Sequence, residues 1–539
     1  MQSTHRLAMV AQVAAWSVPG LWALTYLLPP LDGDVAAILD FAVRMVAGER
    51  LYVDLVDVNP PLIFWLNLPP AWVAEQLALG PAGVFVVWVL GLLVASLALC
   101  RAPALRLSEL EGPFLQTALP LVAAFVLLVL PTHNFGQREH LMTGFALPYL
   151  ALAAVRLEGQ AVTARAAAPR AAFAAIGFLI KPYFLLVPLA IEAALLLRLG
   201  WRAWLRRPEP WVFVGLGTLY GLVAQACHPS YLTEIVPLAH RYYLASGAIA
   251  SLERVFGEPE RWMALMVMTP LVVWGLAAQG SAALRVAASF TVATVGSALI
   301  QGKGWPYHLL PFWQGCALVA TLALAAALRP GFERVRSRRD HVRLAATAVF
   351  VAAVGGFTIE HPPWRDRLDY PDSFAGRLEA LLARDAHGGR VLWLTDATYP
   401  KYPTVLYGRI QPASRFMELW LIDGLYQAAD GTLDRPRMRA PAQMSDDERH
   451  LFESVGGSLE GTRPALVLIA SAAAELGVAA GQFDYLAYFL RHPSFAREWS
   501  HYRLVADIEG TRVFRRVEGI DTAAARPDDA KLSSYPVPN

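Results

Sequence analysis

Again and again in its first two thirds, this chain runs apolar for close to the length of a bilayer crossing. A transmembrane helix needs about 20 such residues, because each adds only ~1.5 Å of rise. Runs of this kind fall at 8–28, 81–100, 114–131, 139–155, 171–180, 183–198, 210–227, 262–279, 285–300, 309–328 and 343–359. They predict a polytopic α-helical membrane protein with about eleven transmembrane helices. The opening run extends to about residue 28. That is longer than the ~7–15 residues of a signal-peptide core, so it reads as an uncleaved span. The segment 60–79 is also apolar, but Pro60, Pro61, Pro69 and Pro70 interrupt it, and it reads as not crossing. Composition agrees. The chain is 56% hydrophobic and 17% charged, against about 25% charged in soluble domains.

The arginines supply an orientation, since Lys and Arg prefer the cytoplasmic side. With the N-terminus inside, the inner loops hold Arg101 and Arg106; Arg156, Arg165 and Arg170; Arg198, Arg202, Arg206 and Arg207; Arg285; and the arginine-rich loop 329–343. Counting 60–79 as a span would put that last loop outside. The formal net charge of +2 gives no sign of a nucleic-acid partner, because the basic residues gather in these loops. Cys100, Cys227 and Cys316 lie within apolar runs and read as small core hydrophobes, not as a disulfide framework or a zinc site.

Residues 1–359 therefore read as the membrane domain, with a first external loop at 29–80. After 359 the pattern turns globular. "RVLWLTDA" (390–397) and "RPALVLIA" (463–470) predict buried strands. "FDYLAYFLRHPSF" (483–495) predicts a helix, and 502–517 predicts a hairpin around Glu509-Gly510. Residues 360–517 are expected to form an α/β domain, which an odd number of spans places outside the cytoplasm, in the periplasm. The polar tail, 518–539, is expected to be disordered. The Ala/Arg-rich composition suggests a bacterial inner membrane.

On this topology the unusual loops share one side. They are 32–59, "PTHNFGQREHLM" (131–142), "KPYF" (181–184), 227–262 and "QGKGWPYHLLPF" (301–312). Each sets ionisable residues among aromatics at the edge of a span. Charges near membrane depth are costly and mark a functional cavity or a paired contact.

The first of these loops carries a pattern. Asp34 precedes Gly48 by fourteen residues; Tyr52-Val53-Asp54 follows, then Pro60-Pro61-Leu62 and Phe64-Trp65. This resembles the first external loop of GT-C glycosyltransferases, the superfamily of the protein O-mannosyltransferases and the lipid A aminoarabinose transferases. Asn59 stands before Pro60 where many of those proteins carry Lys or His. The resemblance implies a GT-C-like fold and transfer of a sugar from a polyprenyl-phosphate donor. The acceptor would be a lipid-linked glycan, a lipopolysaccharide or a protein at the periplasmic face. It implies Asp34 as general base, with inversion at the sugar carbon. Lys303, Arg138, Lys181 and His308 are then the candidates for the donor phosphate. Glu139, Asp32, His133, His140, Tyr307 and Tyr242 are candidates for binding or orienting substrate. The amphipathic stretch 35–47 would lie in the membrane interface.

Plainer readings stand beside these. Asp34 also suits a helix cap. Asp32 reads as a loop contact, Asp54 as a pin for the loop, and Glu139 as a partner for Arg138. Lys181 has an interfacial role as its alternative, and Tyr242 and Tyr243 an aromatic belt. "YPKYPTVLYG" (399–408) reads as a surface loop. His133, Glu139 and His140 are metal-ligand types, but their spacing matches no known site, so a divalent metal is not favoured and no cofactor is assigned. Two other functions remain open: a flippase of lipid-linked sugars, and a non-catalytic glycan-assembly subunit. The absence of an internal repeat speaks against the first.

Overall fold

The computed structural model describes residues 2–111, 113–243, 252–277, 281–333, 339–386, 388–426, 438–470 and 483–517. The tail at 518–539 and the middle of the loop at 329–343 lie outside the described residues.

Every run expected to cross a membrane falls on a helix. The first are α1 (Gln2–Thr25), α4 (Pro81–Glu111), α5 (Pro113–Ala124), α6 (Arg138–Leu157), α7 (Ala164–Leu179) and α8 (Leu186–Leu199). Pro208–Cys227, Pro259–Ala277, Ala282–Ile300, Leu310–Glu333 and Arg339–Glu360 follow. Among the described residues, six helical segments are long and apolar enough to cross on length and composition alone: Pro81–Leu110, Arg138–Leu157, Pro182–Leu199, Pro208–Cys227, Ala282–Ile300 and Pro306–Leu328. The proline-broken stretch is a helix, α3 (Pro61–Gln76), of 16 residues. At ~1.5 Å per residue that is too short for a hydrocarbon core of about 30 Å. Pro61 occupies its first turn, where the missing N–H has no intrahelical partner to lose.

Two elements depart from expectation. The amphipathic helix α2 (Gly33–Val46) does not face a lipid surface. Val35 to Ala42 are all buried, between α3 and the helix Lys401–Tyr407. The latter belongs to the stretch read as a surface loop, yet Tyr402 is wholly buried and its hydroxyl reaches Asp40 Oδ2 at 3.3 Å. The second docking line is backbone: Val56 N donates to Arg415 O (2.8 Å) and Met417 N to Val56 O (3.1 Å). The C-terminal domain thus sits directly on the loop at 29–80.

That domain is α/β. Strands β1 (Val391–Leu394) and β2 (Leu466–Ile469) are buried along their whole length and pair in parallel. The hairpin β3 (Tyr502–Ile508) and β4 (Thr511–Arg516) completes a sheet of order β1-β2-β4-β3. Glu509 and Gly510 both take positive φ, as a two-residue hairpin turn requires. The helix expected at 483–495 is two short ones, Tyr485–Phe489 and Pro493–Trp499. Pro493 divides them, because the residue before a proline is pushed out of helical geometry.

Candidate functional site

The site starts with a cap. Asp32 Oδ1 accepts from Asp34 N (2.9 Å), so Asp32 caps α2 and Asp34 does not. The same oxygen accepts from Gln137 Nε2 at 2.7 Å. Burial, then the neighbouring Asp34 charge, pushes the Asp32 carboxyl up to about 7. Asp34 sits in the first turn with its side chain 25% exposed, and its Oδ2 takes Arg138 Nη2 at 2.7 Å.

Further along the loop, Asp57 Oδ1 accepts from Asn59 N (2.8 Å) and from Asn59 Nδ2 (2.7 Å). That contact fixes the amide orientation and turns Asn59 Oδ1 toward Arg138 Nη1, which donates to it. Tyr52 donates from its hydroxyl to Asn59 O at 2.5 Å. The cation beside Asn59 thus comes from α6. Asp54 is engaged by Arg50 near the surface (2.9 Å) and pins the loop.

Arg138 and Glu139 open α6, and both are buried. A buried charge is costly unless paired. Lys181, just before Pro182, meets Glu139 Oε1 at 2.7 Å and Gln301 Oε1 at 3.0 Å. Tyr307 bridges the two pairs. Its hydroxyl accepts from Arg138 Nη2 at 3.4 Å, and Lys181 Nζ lies 5.5 Å from its ring centre. His308 stands edge-on to Tyr307, with centroids 4.6 Å apart. Lys303 Nζ rests 4.2 Å from the ring centre of Tyr243. Arg138 Nε, Glu139 Oε2, Gln301 Nε2 and His308 Nδ1 are buried and have no hydrogen-bond partner among the described residues. Such atoms are destabilising by about 1–3 kcal/mol each unless a polar ligand meets them.

The structure therefore brings Asp32, Asp34, Arg138, Glu139, Lys181, Tyr307 and His308 into one polar cluster, with Lys303 on Tyr243 beside it. Three candidates lie outside it. His133 is exposed beside Thr132. His140 is wholly buried with both nitrogens engaged by backbone: Nδ1 accepts from Gly136 N (3.0 Å) and Nε2 meets Leu127 O (2.8 Å). Tyr242 donates to Asp447 Oδ2 (2.9 Å) in the C-terminal domain. Among the described residues, no three His, Cys, Asp or Glu side chains are grouped to hold a metal ion.

Sequence reasoning misses Gln137 and Gln301 and names Asn59 only as a departure from the resembling pattern, although each lies inside or beside a stretch already singled out. It misses Glu418 entirely. This partly accessible carboxylate accepts from Thr398 Oγ1 at 2.5 Å, and burial raises it to about 8. Nothing in "FMELW" (416–420) signals a site. A separate apolar cavity of about 560 Å³ lies further along the helices, lined by Leu97, Leu150, Val286 and Leu318 with Arg101 at its edge. It shares no residue with the polar cluster.

No known family profile matches the chain, and no curated protein matches it in sequence. Solved structures do match. The crystal structure of ArnT from Cupriavidus metallidurans bound to undecaprenyl phosphate is similar with a TM-score of 0.54 at 14% identity, over 94% of this chain and 98% of that one. ArnT from the same organism in the apo state gives 0.56 at 14% identity, over 96% and 99%. The chain shares its fold with these ArnT structures over nearly its whole length.

Proposed function

We propose that this protein is a GT-C membrane glycosyltransferase. It takes a sugar from a polyprenyl-phosphate donor and passes it to a lipid-linked glycan, lipopolysaccharide or protein acceptor at the periplasmic face of a bacterial inner membrane. One observation carries the reading: Asp34, Arg138, Lys181, Tyr307 and His308, from four separate parts of the chain, form a single connected cluster, with Arg138, Lys181 and His308 buried and Asp34 and Tyr307 half-buried. A fold shared with ArnT bound to undecaprenyl phosphate supports the carrier lipid.

Each role follows from the chemistry. Asp34 takes the proton of the acceptor hydroxyl as that oxygen attacks the anomeric carbon. Arg138, held by Asn59 and Asp34, and Lys181, held by Glu139, stabilise the charge on the departing lipid phosphate. Arg138 Nε, Gln301 Nε2 and His308 Nδ1 are buried nitrogens of this cluster with no hydrogen-bond partner among the described residues, and such an anion would give them one. Direct displacement with one base inverts the sugar carbon.

The test is transfer by purified protein from a panel of undecaprenyl-phosphate monosaccharides. Asp34→Asn is expected to lower turnover about 10²–10⁴-fold, the usual worth of a positioned base, while undecaprenyl phosphate still binds. Wild-type turnover in that variant contradicts the assignment.

A further inference from the structure

Glu418 reaches the site from the C-terminal domain by a route that backbone contacts define. The bridge between Val56 and Phe416, with Met417 N donating to Val56 O, sets Glu418 beside Asp57. On its other side Leu419 N donates to Thr395 O at 2.8 Å. Thr398, which donates to Glu418 Oε2, lies against the start of α2. Its Cγ2 is 3.5 Å from where a Cβ on Gly33 would stand, and Gly33 precedes Asp34. Trp420 and Lys303 both pack on the Tyr243 ring, at 5.9 Å and 4.2 Å. Glu418 thus lies between the loop that carries Asp34 and Asp57 and the Tyr243 ring, on which Lys303 also packs.

We propose that Glu418 is a further substrate-contacting residue, whose carboxyl donates a hydrogen bond from Oε1 to a hydroxyl of the transferred sugar. This rests on the reading of the site as a glycosyltransferase centre. Three features support it. Oε2 is taken by Thr398, whereas no described residue hydrogen-bonds Oε1. The residue is half-buried, and the unpartnered Oε1 keeps some exposure to solvent. The charges around it, Asp34 and Asp57 against Lys401, with Tyr243 nearby, disfavour another anion, and with burial they keep the group protonated up to about pH 8. A neutral acid next to a carboxylate suits a sugar hydroxyl better than a phosphate, which the cations of α6 and Lys181 serve.

The experiment compares binding of two probes to the full-length protein: bare undecaprenyl phosphate, and undecaprenyl phosphate carrying glucose, mannose, galactose or arabinose. Wild type is expected to bind at least one sugar-bearing probe more tightly than the bare lipid. Glu418→Ala is expected to weaken that probe about fivefold and leave bare lipid unchanged, which also shows that the variant is folded. Glu418→Gln, which keeps a donor, is expected to retain the preference. The wild-type preference falls as pH rises through about 8, and the Gln variant keeps it. An Ala variant with the wild-type preference, or a Gln variant as impaired as Ala, overturns the proposal. Failure of wild type to bind bare lipid brings down the glycosyltransferase reading itself, and this inference with it.

Discussion

Arg138 cannot be left unpaired where it lies, and the neighbouring side chains are arranged around that fact. Asp34, Asn59 and Tyr307 each meet its guanidinium. The Lys181–Glu139 pair beside it has the same logic, so removing one partner strands a buried charge. Lys181→Met is expected to lower stability by about 3–5 kcal/mol, read as thermal unfolding in detergent. Lys181→Met with Glu139→Gln is expected to recover most of that loss without recovering transfer; a double variant no more stable than the single one counts against a buried pair. Asp32 makes a pH prediction. Its carboxyl rises from 3.8 to about 7 on folding, mainly by burial, so the folded state favours the protonated form. That contribution is complete below about pH 4 and is lost as pH rises toward about 7. Asp32→Asn, which caps equally well, is expected to unfold at a higher temperature than wild type at about pH 8 and to lose this advantage near pH 4. A variant whose unfolding temperature tracks wild type at every pH refutes the shift. Asp34 is legible in the sequence because its spacing to Gly48 and the Tyr52-Val53-Asp54 element resembles the first external loop of GT-C glycosyltransferases. Glu418 is not, because only the tertiary contact of Phe416 with Val56 brings it there.

At the scale of elements, the apolar runs announce their helices, and the misreadings come where charge or proline conflicts with the run. α7 begins at Ala164, ahead of the expected 171, although Arg165 and Arg170 lie in its first turns. Arg170 is accommodated because its Nε donates to Leu99 O of α4 at 2.9 Å. Amphipathicity correctly marks α2 as a helix but does not say what covers its apolar face; the cover is another helix, not lipid. α6 and α7 pack closely through Gly177. A Cβ there would stand 2.6 Å from Phe145 Cβ and 3.1 Å from Met142 O, both on the helix that carries Arg138. Gly177→Ala is therefore expected to cost about 1–3 kcal/mol of stability and to reduce transfer by displacing the start of α6. Unchanged unfolding temperature in that variant means the two helices have room that these distances deny.

For the whole molecule, the proposed site is built by the helical part of the chain, with the C-terminal part docked on the loop that carries Asp34. α2 and its loop supply Asp34 and Asn59, α6 supplies Arg138, Lys181 stands just before Pro182, and the turn opened by Pro306 supplies Tyr307. The C-terminal domain is fastened to the same loop, with Val56 N donating to Arg415 O at 2.8 Å and Met417 N to Val56 O at 3.1 Å. Hydropathy makes the division into a helical part and an α/β part legible, but it carries no information about their docking, which depends on buried contacts such as Tyr402 with Asp40. The most direct test is an electron cryo-microscopy structure with undecaprenyl phosphate bound. The account predicts phosphate density in hydrogen-bond reach of Arg138 and Lys181, beside Tyr307, with the prenyl chain leaving toward the membrane. Phosphate density in the apolar cavity near Arg101, or anywhere remote from Asp34, contradicts it.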